Sequence, residues 1–237
     1  MTKYLFIDSK DRISGTSENF TIRFNKQFNN VNKIIVDNII IPNSIYTVDA
    51  TNNTLYFFDA SSRSCVLTSG VYTSVNLASE IQTKMNASTT GRTYTVSFNS
   101  TTNKMTLTVS TGTFYLDFTN STSPAILMGF NALSLTSTLS SFTSTNSVNL
   151  SIPYLTIKIS DLTTNITTAN SSDFNVVVPF KSNTGEINYF SSNSDFVMVN
   201  NINIDFNFNV LKIKLIRNNG NDVYLNGLDW SMLLRIE

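Results

Sequence analysis

The segment Lys33–Tyr46 places the strongest constraint on how this chain folds. It contains six isoleucines and one valine, and β-branched side chains favour strands over helices. Its apolar residues occupy both parities of a strand, with Ile34, Val36 and Ile40 on one side and Ile35, Ile39 and Ile41 on the other. A strand with one wet face would alternate, so this pattern predicts a strand covered on both faces by a sheet, a helix or a partner subunit.

Other short strands follow one another along the chain. Tyr94–Phe98 and Met105–Val109 alternate cleanly across a turn of Asn, Ser and Thr, which predicts a β-hairpin. Asn203–Arg217 changes its apolar parity near Val210-Leu211, which is the signature of a β-bulge or a sharp bend. The closing segment Trp230–Ile236 alternates again and predicts a final strand.

One helix is predicted at Ser74–Asn86, where Thr73 or Ser74 provides an N-terminal cap. Its apolar residues fall on one face at helical spacing, and they are Leu77, Ala78, Ile81 and Met85.

Many short strands, hairpin signals and a single helix predict an all-β fold. The expected architecture is a single jelly-roll β-sandwich of two antiparallel sheets, with one short helix in a crossover. We expect residues 1–237 to form one domain, with loop or insertion segments around 70–92, 119–149 and 160–173.

The composition limits the partners of this chain. Its formal net charge is zero and only 14% of its residues are charged, so strong sequence-independent binding to nucleic acid is not expected. A surface of Asn, Ser and Thr suits tight protein–protein packing, and it also occurs in sugar-binding β-proteins. The single cysteine, Cys65, has no internal disulfide partner, and no apolar run reaches membrane-span length. These features predict synthesis in the cytoplasm and no membrane span.

The residue types needed for catalysis are scarce. The chain has no histidine, which removes Ser-His and Cys-His nucleophile pairs and His-ligated zinc. A carboxylate pair for glycoside hydrolysis would have to come from dispersed aspartates, namely Asp195, Asp205, Asp222 and Asp229. We therefore expect no enzyme activity, no catalytic residue, no cofactor and no metal site.

The corner Asp8-Ser9-Lys10-Asp11-Arg12 is the most charged stretch of an otherwise neutral chain. It has two interpretations. It is either a solvated turn with an Asp–Arg pair worth less than about 1 kcal/mol, or a subunit interface in which partial burial lets charges direct the register. Asp8, Asp11 and Arg12 are the candidate interface residues.

An ordered set of motifs runs through nearly the whole chain. The motifs are Phe6-Ile-Asp-Ser-Lys-Asp-Arg12, Gly15-Thr16, Asn19-Phe-Thr-Ile-Arg-Phe24, Val36-Asp-Asn-Ile-Ile-Ile-Pro-Asn-Ser44, Gly70-Val-Tyr72, Tyr94–Val109, Leu127-Met-Gly-Phe130 and Trp230-Ser-Met-Leu233. In this order they resemble the penton (minor capsid) proteins of virophages and polinton-like viruses of the Mavirus and Sputnik kind.

The resemblance implies a structural protein of the virion. It implies a single jelly roll that forms homopentamers at the five-fold vertices of an icosahedral capsid, surrounded by a double-jelly-roll major capsid protein. A ring of five needs two different complementary sides on each subunit. The resemblance also turns the corner Asp8–Arg12 into the preferred candidate for a subunit contact.

Two other functions stay open at this stage. One is a carbohydrate-binding or host-attachment β-sandwich of a virion, which would expose aromatic side chains on one face. Its candidates are Tyr46, Tyr56, Tyr72 and Tyr189. The other is a hydrolase built on a jelly roll, which would use the four dispersed aspartates.

Overall fold

The structure is a computed structural model. It describes residues 2–133, 138–160, 166–167, 173–174, 176–191, 199–200, 206–218 and 220–237. Within these residues the chain is all-β with one α-helix, and every strand pair is antiparallel. The predicted fold class is confirmed.

The elements follow one another in a simple order. In chain order they are β1 (Lys3–Asp8), a 3-10 turn (Ser9–Asp11), β2 (Ser14–Gly15), β3 (Asn19–Val31), β4 (Ile34–Pro42), β5 (Thr54–Phe58), β6 (Ser62–Val66), α1 (Ser74–Ala87), β7 (Tyr94–Asn99), β8 (Lys104–Val109), β9 (Tyr115–Asp117), β10 (Ser141–Thr143), β11 (Tyr154–Ser160), β12 (Ile166–Thr167), β13 (Asp173–Phe174), β14 (Val176–Pro179), β15 (Ile187–Ser191), β16 (Val199–Asn200), β17 (Phe206–Arg217) and β18 (Ser231–Ile236).

The chain divides into two compact units. Unit 1 consists of Met1–Ile45 and Ile152–Glu237, and unit 2 consists of Tyr46–Ser151. The sequence predicts one domain with insertions, and two of those insertions, 70–92 and 119–149, fall inside unit 2. The third, 160–173, lies mostly outside the described residues, as does most of the Thr/Asn-rich linker 162–172.

Unit 1 is a two-sheet sandwich. Its first sheet has the strand order β1-β18-β4-β15, with β16 also paired to β4, and its second sheet has the order β14-β11-β17-β3-β2. The inward side chains of both sheets belong to one hydrophobic cluster, in which Ile7 and Ile39 come from the first sheet and Ile157 and Leu215 from the second. A shared apolar layer between two antiparallel sheets is the construction expected of a jelly roll.

The face assignment predicted for β4 is wrong, because a bulge lies in the middle of that strand. The register with β18 shifts between the partners of Val36 and Asn38, and Asp37 is the extra residue. The slip puts Ile34 and Val36 on the same inward face as Ile39 and Ile41. On the outer face Ile35 is buried but Ile40 is 38% exposed, so β4 is only partly covered on its second side.

The change of parity predicted in the long C-terminal strand is confirmed. The register of β17 with β3 shifts on both sides of Phe208, and the extra residues lie in β3. As a result Phe208 and then Leu211, three residues later, both enter the core, whereas a regular strand would turn one of them outward.

Unit 2 has a core of its own. Two three-stranded sheets, β6-β5-β9 and β10-β8-β7, contribute to one apolar cluster together with α1. The predicted helix is confirmed, because the Thr73 side chain accepts a hydrogen bond from the backbone N–H of Asn76 as an N-cap. Its buried side chains are the four that helical spacing selected, Leu77, Ala78, Ile81 and Met85. The β7–β8 hairpin also has the predicted arms.

The turn around Gly129 is fixed by close backbone packing. Gly129 has a φ of +80°, which is left-handed backbone that a side chain disfavours. Its carbonyl accepts a hydrogen bond from the backbone N–H of Asn146 at 2.9 Å, and a Cβ at residue 129 would collide with the Asn146 carbonyl oxygen. The motif Leu127–Phe130 therefore depends on glycine at this position.

This geometry gives a matched pair of substitutions. Gly91 has a similar φ of +77° but has no atom near the position of a Cβ. We expect Gly91→Ala to lower the free energy of unfolding by about 1 kcal/mol through backbone strain alone. Gly129→Ala adds the collision, and we expect it to cost about 2 kcal/mol more. Urea unfolding of both variants measures the difference, and equal losses would contradict the packing argument.

Candidate functional site

The polar corner Asp8–Arg12 is a compact turn at the end of β1. Asp8 caps the 3-10 turn, since its carboxylate accepts the backbone N–H of Lys10 at 3.0 Å. The same carboxylate lies 2.9 Å from the Lys10 ammonium. Partial burial acts to raise the pKa of Asp8, but the hydrogen bonds from the side chain and backbone of Lys10 outweigh it and leave the pKa below its ordinary value.

Ser9 connects this corner to the other end of the chain. Its side chain is fully buried, donates a hydrogen bond to Asp229 Oδ1 at 2.7 Å, and accepts the backbone N–H of Trp230 at 3.0 Å. The backbone N–H of Ser9 donates to the Trp230 carbonyl at 2.9 Å. These bonds hold the end of β1 against the start of β18.

Trp230 extends the junction to the second sheet of unit 1. Its indole Nε1–H donates to the Ser17 carbonyl at 2.7 Å, and its ring lies edge-to-face with Phe20 at 5.9 Å between centroids. The indole ring is buried, and the hydrogen bond to Ser17 replaces the one that its N–H would make with water.

The partner of Arg12 is not within the corner. The guanidinium Nη1 donates to Asp229 Oδ1 at 2.8 Å and to the Ser9 carbonyl at 2.7 Å. The sequence predicts an Asp–Arg pair inside the turn, and the structure replaces it with a pair whose members are 217 residues apart. Sequence reasoning names Asp229 only as a dispersed aspartate, and no local signal in the sequence links it to Arg12.

The three candidate interface residues therefore differ in their availability. Asp8 and Arg12 have partners within the subunit, and Asp11 is exposed. The side chain of Asp11 has no hydrogen bond or ion pair to any residue that the structure describes. Next to the corner is an open groove of about 540 Å³, lined by Asp8, Lys10, Ile40, Pro42, Gly185, Glu186, Ile187, Leu228, Asp229, Trp230 and Ser231. Its apolar floor and charged rim have the character of a protein-contact surface.

The tyrosines proposed for sugar binding lie on different elements. Tyr189 is 61% exposed on β15 of unit 1, and its hydroxyl is 3.0 Å from the Asn38 side chain. In unit 2, Tyr46 is 37% exposed, while Tyr56 and Tyr72 are half-buried. Tyr56 lies on β5, and Tyr72 precedes α1 and donates its hydroxyl to the Thr68 carbonyl.

The structure describes two of the four aspartates proposed for hydrolysis, and each of them is paired with a basic side chain. Asp229 binds Arg12, and Asp222 lies 2.7 Å from the Lys214 ammonium. Asp195 and Asp205 lie outside the described residues. Across the part of the chain that is described, no group of three or more Cys, Asp or Glu side chains is arranged to hold a metal ion, and no helix there is long and apolar enough to cross a membrane.

Asp59 in unit 2 is a buried carboxylate that accepts hydrogen bonds from three side chains. Arg63 Nε donates to Oδ1 at 2.5 Å, and the hydroxyls of Thr89 and Tyr94 donate to Oδ2 at 3.0 and 3.2 Å. Burial raises the pKa of Asp59, but these hydrogen bonds lower it by more, so its pKa lies below the ordinary value. Burial and the Asp59 charge raise the pKa of Tyr94. Arg63 also donates to the Ser88 carbonyl at 2.9 Å. The cluster fastens the β5–β6 turn to the end of α1.

The hydrogen bonds of Ser9 predict that Ser9→Ala destabilises the protein more than Arg12→Ala does. Ser9→Ala leaves the buried N–H of Trp230 without its side-chain acceptor, and we expect a loss of about 1–3 kcal/mol in the free energy of unfolding. The Arg12–Asp229 pair is about one-third exposed on both sides, so we expect Arg12→Ala to cost less than about 1 kcal/mol. Chemical denaturation compares the two, with the exposed Ser14→Ala as control. An Arg12→Ala cost equal to or above that of Ser9→Ala would contradict this account.

The Asp59 cluster predicts acid sensitivity. The pKa of Asp59 is depressed in the folded state, so its stabilisation is fully present above the unfolded pKa of about 3.9. It is lost as the pH falls from there through the lower folded pKa. We expect Asp59→Asn to lower the free energy of unfolding at pH 7 and to flatten its decline between about pH 4 and pH 2. The free energy of unfolding measured across this pH range tests the prediction, with Asp11→Asn at an exposed aspartate as control. An unchanged acid slope in Asp59→Asn would argue against the cluster.

The similarity of this chain to known proteins is found in its structure and not in its sequence. No protein-family model matches this chain, and no curated protein matches it. Among solved structures, the chain is similar to a crystal structure of the mavirus penton protein labelled with selenomethionine, with a TM-score of 0.51 and 12% sequence identity. The match covers 100% of this chain and 99% of that chain. The two proteins therefore share a fold over their whole length.

Proposed function

We propose that this chain is a structural capsid protein, a penton capsomer that forms homopentamers at the five-fold vertices of an icosahedral virus particle. The observation that carries the proposal is the end-to-end match of fold to a viral penton protein, which covers 100% of this chain and 99% of that one. The ordered motifs from Phe6 to Leu233 support the same assignment.

The surface chemistry agrees with an assembly role. A chain with only 14% charged residues loses little free energy to charge desolvation when subunits pack together. Large apolar side chains such as Phe6, Ile187 and Tyr189 are more than half exposed in the single subunit. Exposed apolar side chains of this size are typical of surfaces that become covered on association.

The mechanism proposed is shape-complementary assembly without catalysis. Closing a ring of five requires one heterologous interface, so two different surfaces of each subunit meet. The polar corner belongs to one of these surfaces, with exposed Asp11 as the side chain offered to a neighbour. Asp8 and Arg12 set its shape through their partners within the subunit. The further partner is a double-jelly-roll major capsid protein around the vertex of the virion, after synthesis in the host cytoplasm.

The proposal predicts the mass of the purified protein. We expect a species of about 132 kDa, five times the 26.4 kDa chain, with five-fold class averages in electron microscopy. Sedimentation and mass photometry over a range of concentrations measure it. We expect Asp11→Lys to weaken the pentamer at least tenfold without lowering the melting temperature of the dissociated monomer. Monomers at every concentration would contradict the proposed function, whereas a pentamer that Asp11→Lys leaves intact would remove only the corner from the interface.

A further inference from the structure

The first sheet of unit 1 ends in two strands that each have an unused edge. β1 pairs with β18 on one side, and β15 pairs with β4 on one side. Within the described part of the chain, no strand pairs with the second edge of either one. An edge of this kind offers a row of backbone donors and acceptors to another strand.

Both edge strands present apolar side chains on the same outer face of the sheet. Tyr4 and Phe6 on β1 are 60% and 62% exposed, and Ile187 and Tyr189 on β15 are 65% and 61% exposed. Residues of the opposite parity, such as Leu5 and Ile7 on β1 and Phe190 on β15, point into the core. Neither strand contains a proline, and the charged residues of β1, Lys3 and Asp8, are confined to its two ends. The middle of each edge therefore lacks the usual features that protect an edge from pairing.

The strand directions make the two edges complementary. Each of the three steps from β1 through β18 and β4 to β15 is antiparallel, so β1 and β15 run in opposite directions. When a second copy is placed beside the first in the same orientation, its β15 lies antiparallel to β1. This is the pairing that short exposed edges form most readily, and it repeats head-to-tail as a closed ring requires.

Charged residues near the ends of the two strands and a groove beside β1 favour the same arrangement. Lys10 follows the end of β1 and Glu186 precedes β15, and both line the one groove at that end of the sheet. Antiparallel addition therefore brings the exposed Lys10 of one copy to the level of the exposed Glu186 of the next. The edge of β1 also borders a groove of about 350 Å³, lined by Tyr4, Leu5, Phe6, Phe24, Asn25, Lys26 and Phe28.

We infer that subunits join by strand addition, with β15 of one copy pairing antiparallel to β1 of the next. The inference rests on the proposed ring of five and names the surfaces that form it. Backbone hydrogen bonds set the register of the contact, and the exposed aromatic and aliphatic side chains on the outer face form its cross-strand pairs.

Engineered disulfides test this pairing directly. Within one subunit β1 and β15 are three strand spacings apart, or about 14 Å, and a disulfide needs Cα atoms within about 7 Å. Any bond between the two strands must therefore join different subunits. Four double variants combine Phe6→Cys or Asp8→Cys with Ile187→Cys or Tyr189→Cys, and together they sample three registers. The native Cys65 is buried and does not interfere.

We expect at least one double variant to give a ladder of covalent species that ends at five on a denaturing gel. Each single-cysteine variant should stay monomeric on that gel, because a head-to-tail contact never brings two identical positions together. Covalent dimers from Phe6→Cys alone would show β1 meeting β1, which overturns the inference.

Charge substitutions provide a second readout. We expect Phe6→Lys and Tyr189→Lys each to weaken the assembly at least tenfold. The melting temperature measured on dissociated monomers should not change, since both side chains are exposed. Tyr224→Lys, at a tyrosine that is 53% exposed away from either edge, is the matched control and should assemble normally. A wild-type pentamer that yields no ladder in any double variant overturns strand addition alone, whereas a wild type that stays monomeric overturns the proposed function as well.

Discussion

The position of β18 between β1 and β4 is the constraint on which unit 1 depends. This last strand pairs with β1 over six residues and with β4 on its other side, so the first sheet forms only when both ends of the chain meet. The buried Ser9 hydroxyl stabilises the contact between the two ends, because it donates a hydrogen bond to Asp229 and accepts one from the Trp230 backbone N–H. Contacts between residues 220 or more apart have a high cost in chain entropy. A polar junction that is fully satisfied, beside an indole packed on Phe20, offsets part of that cost.

Irregularities in two strands decide which side chains enter the core. Asp37 is an extra residue of β4 opposite β18, and near Phe208 of β17 the extra residues lie in the neighbouring strand β3. Each bulge turns a side chain of the wrong parity inward and strengthens the local twist. In β4 the same bulge directs Ile40 outward, next to Tyr189 in the register. The bulge therefore decides which isoleucine of β4 lies on the outer face, where exposed side chains of β1 and β15 supply the other apolar groups.

The charged clusters of the two units have mainly architectural roles. In unit 1 the Arg12–Asp229 pair connects the two ends of the chain, and in unit 2 Asp59 collects donors from three segments. A buried carboxylate that accepts hydrogen bonds from three fixed donors is poorly suited to exchange protons with a substrate. The surfaces that remain open are the apolar edge strands and the groove beside the corner, and such surfaces suit a neighbouring protein.

The sequence by itself determined the all-β class, the position and buried face of α1, the β7–β8 hairpin and the change of parity in β17, because each follows from local spacing that any packing must respect. It also identified the corner Asp8–Arg12 and the resemblance to penton proteins. Only the tertiary structure decided the face assignment of β4, the grouping of the chain into two units and the pairing of Arg12 with Asp229. These depend on contacts between distant residues, on which local periodicity carries no information. For the same reason the two unused edges emerge only from the strand order.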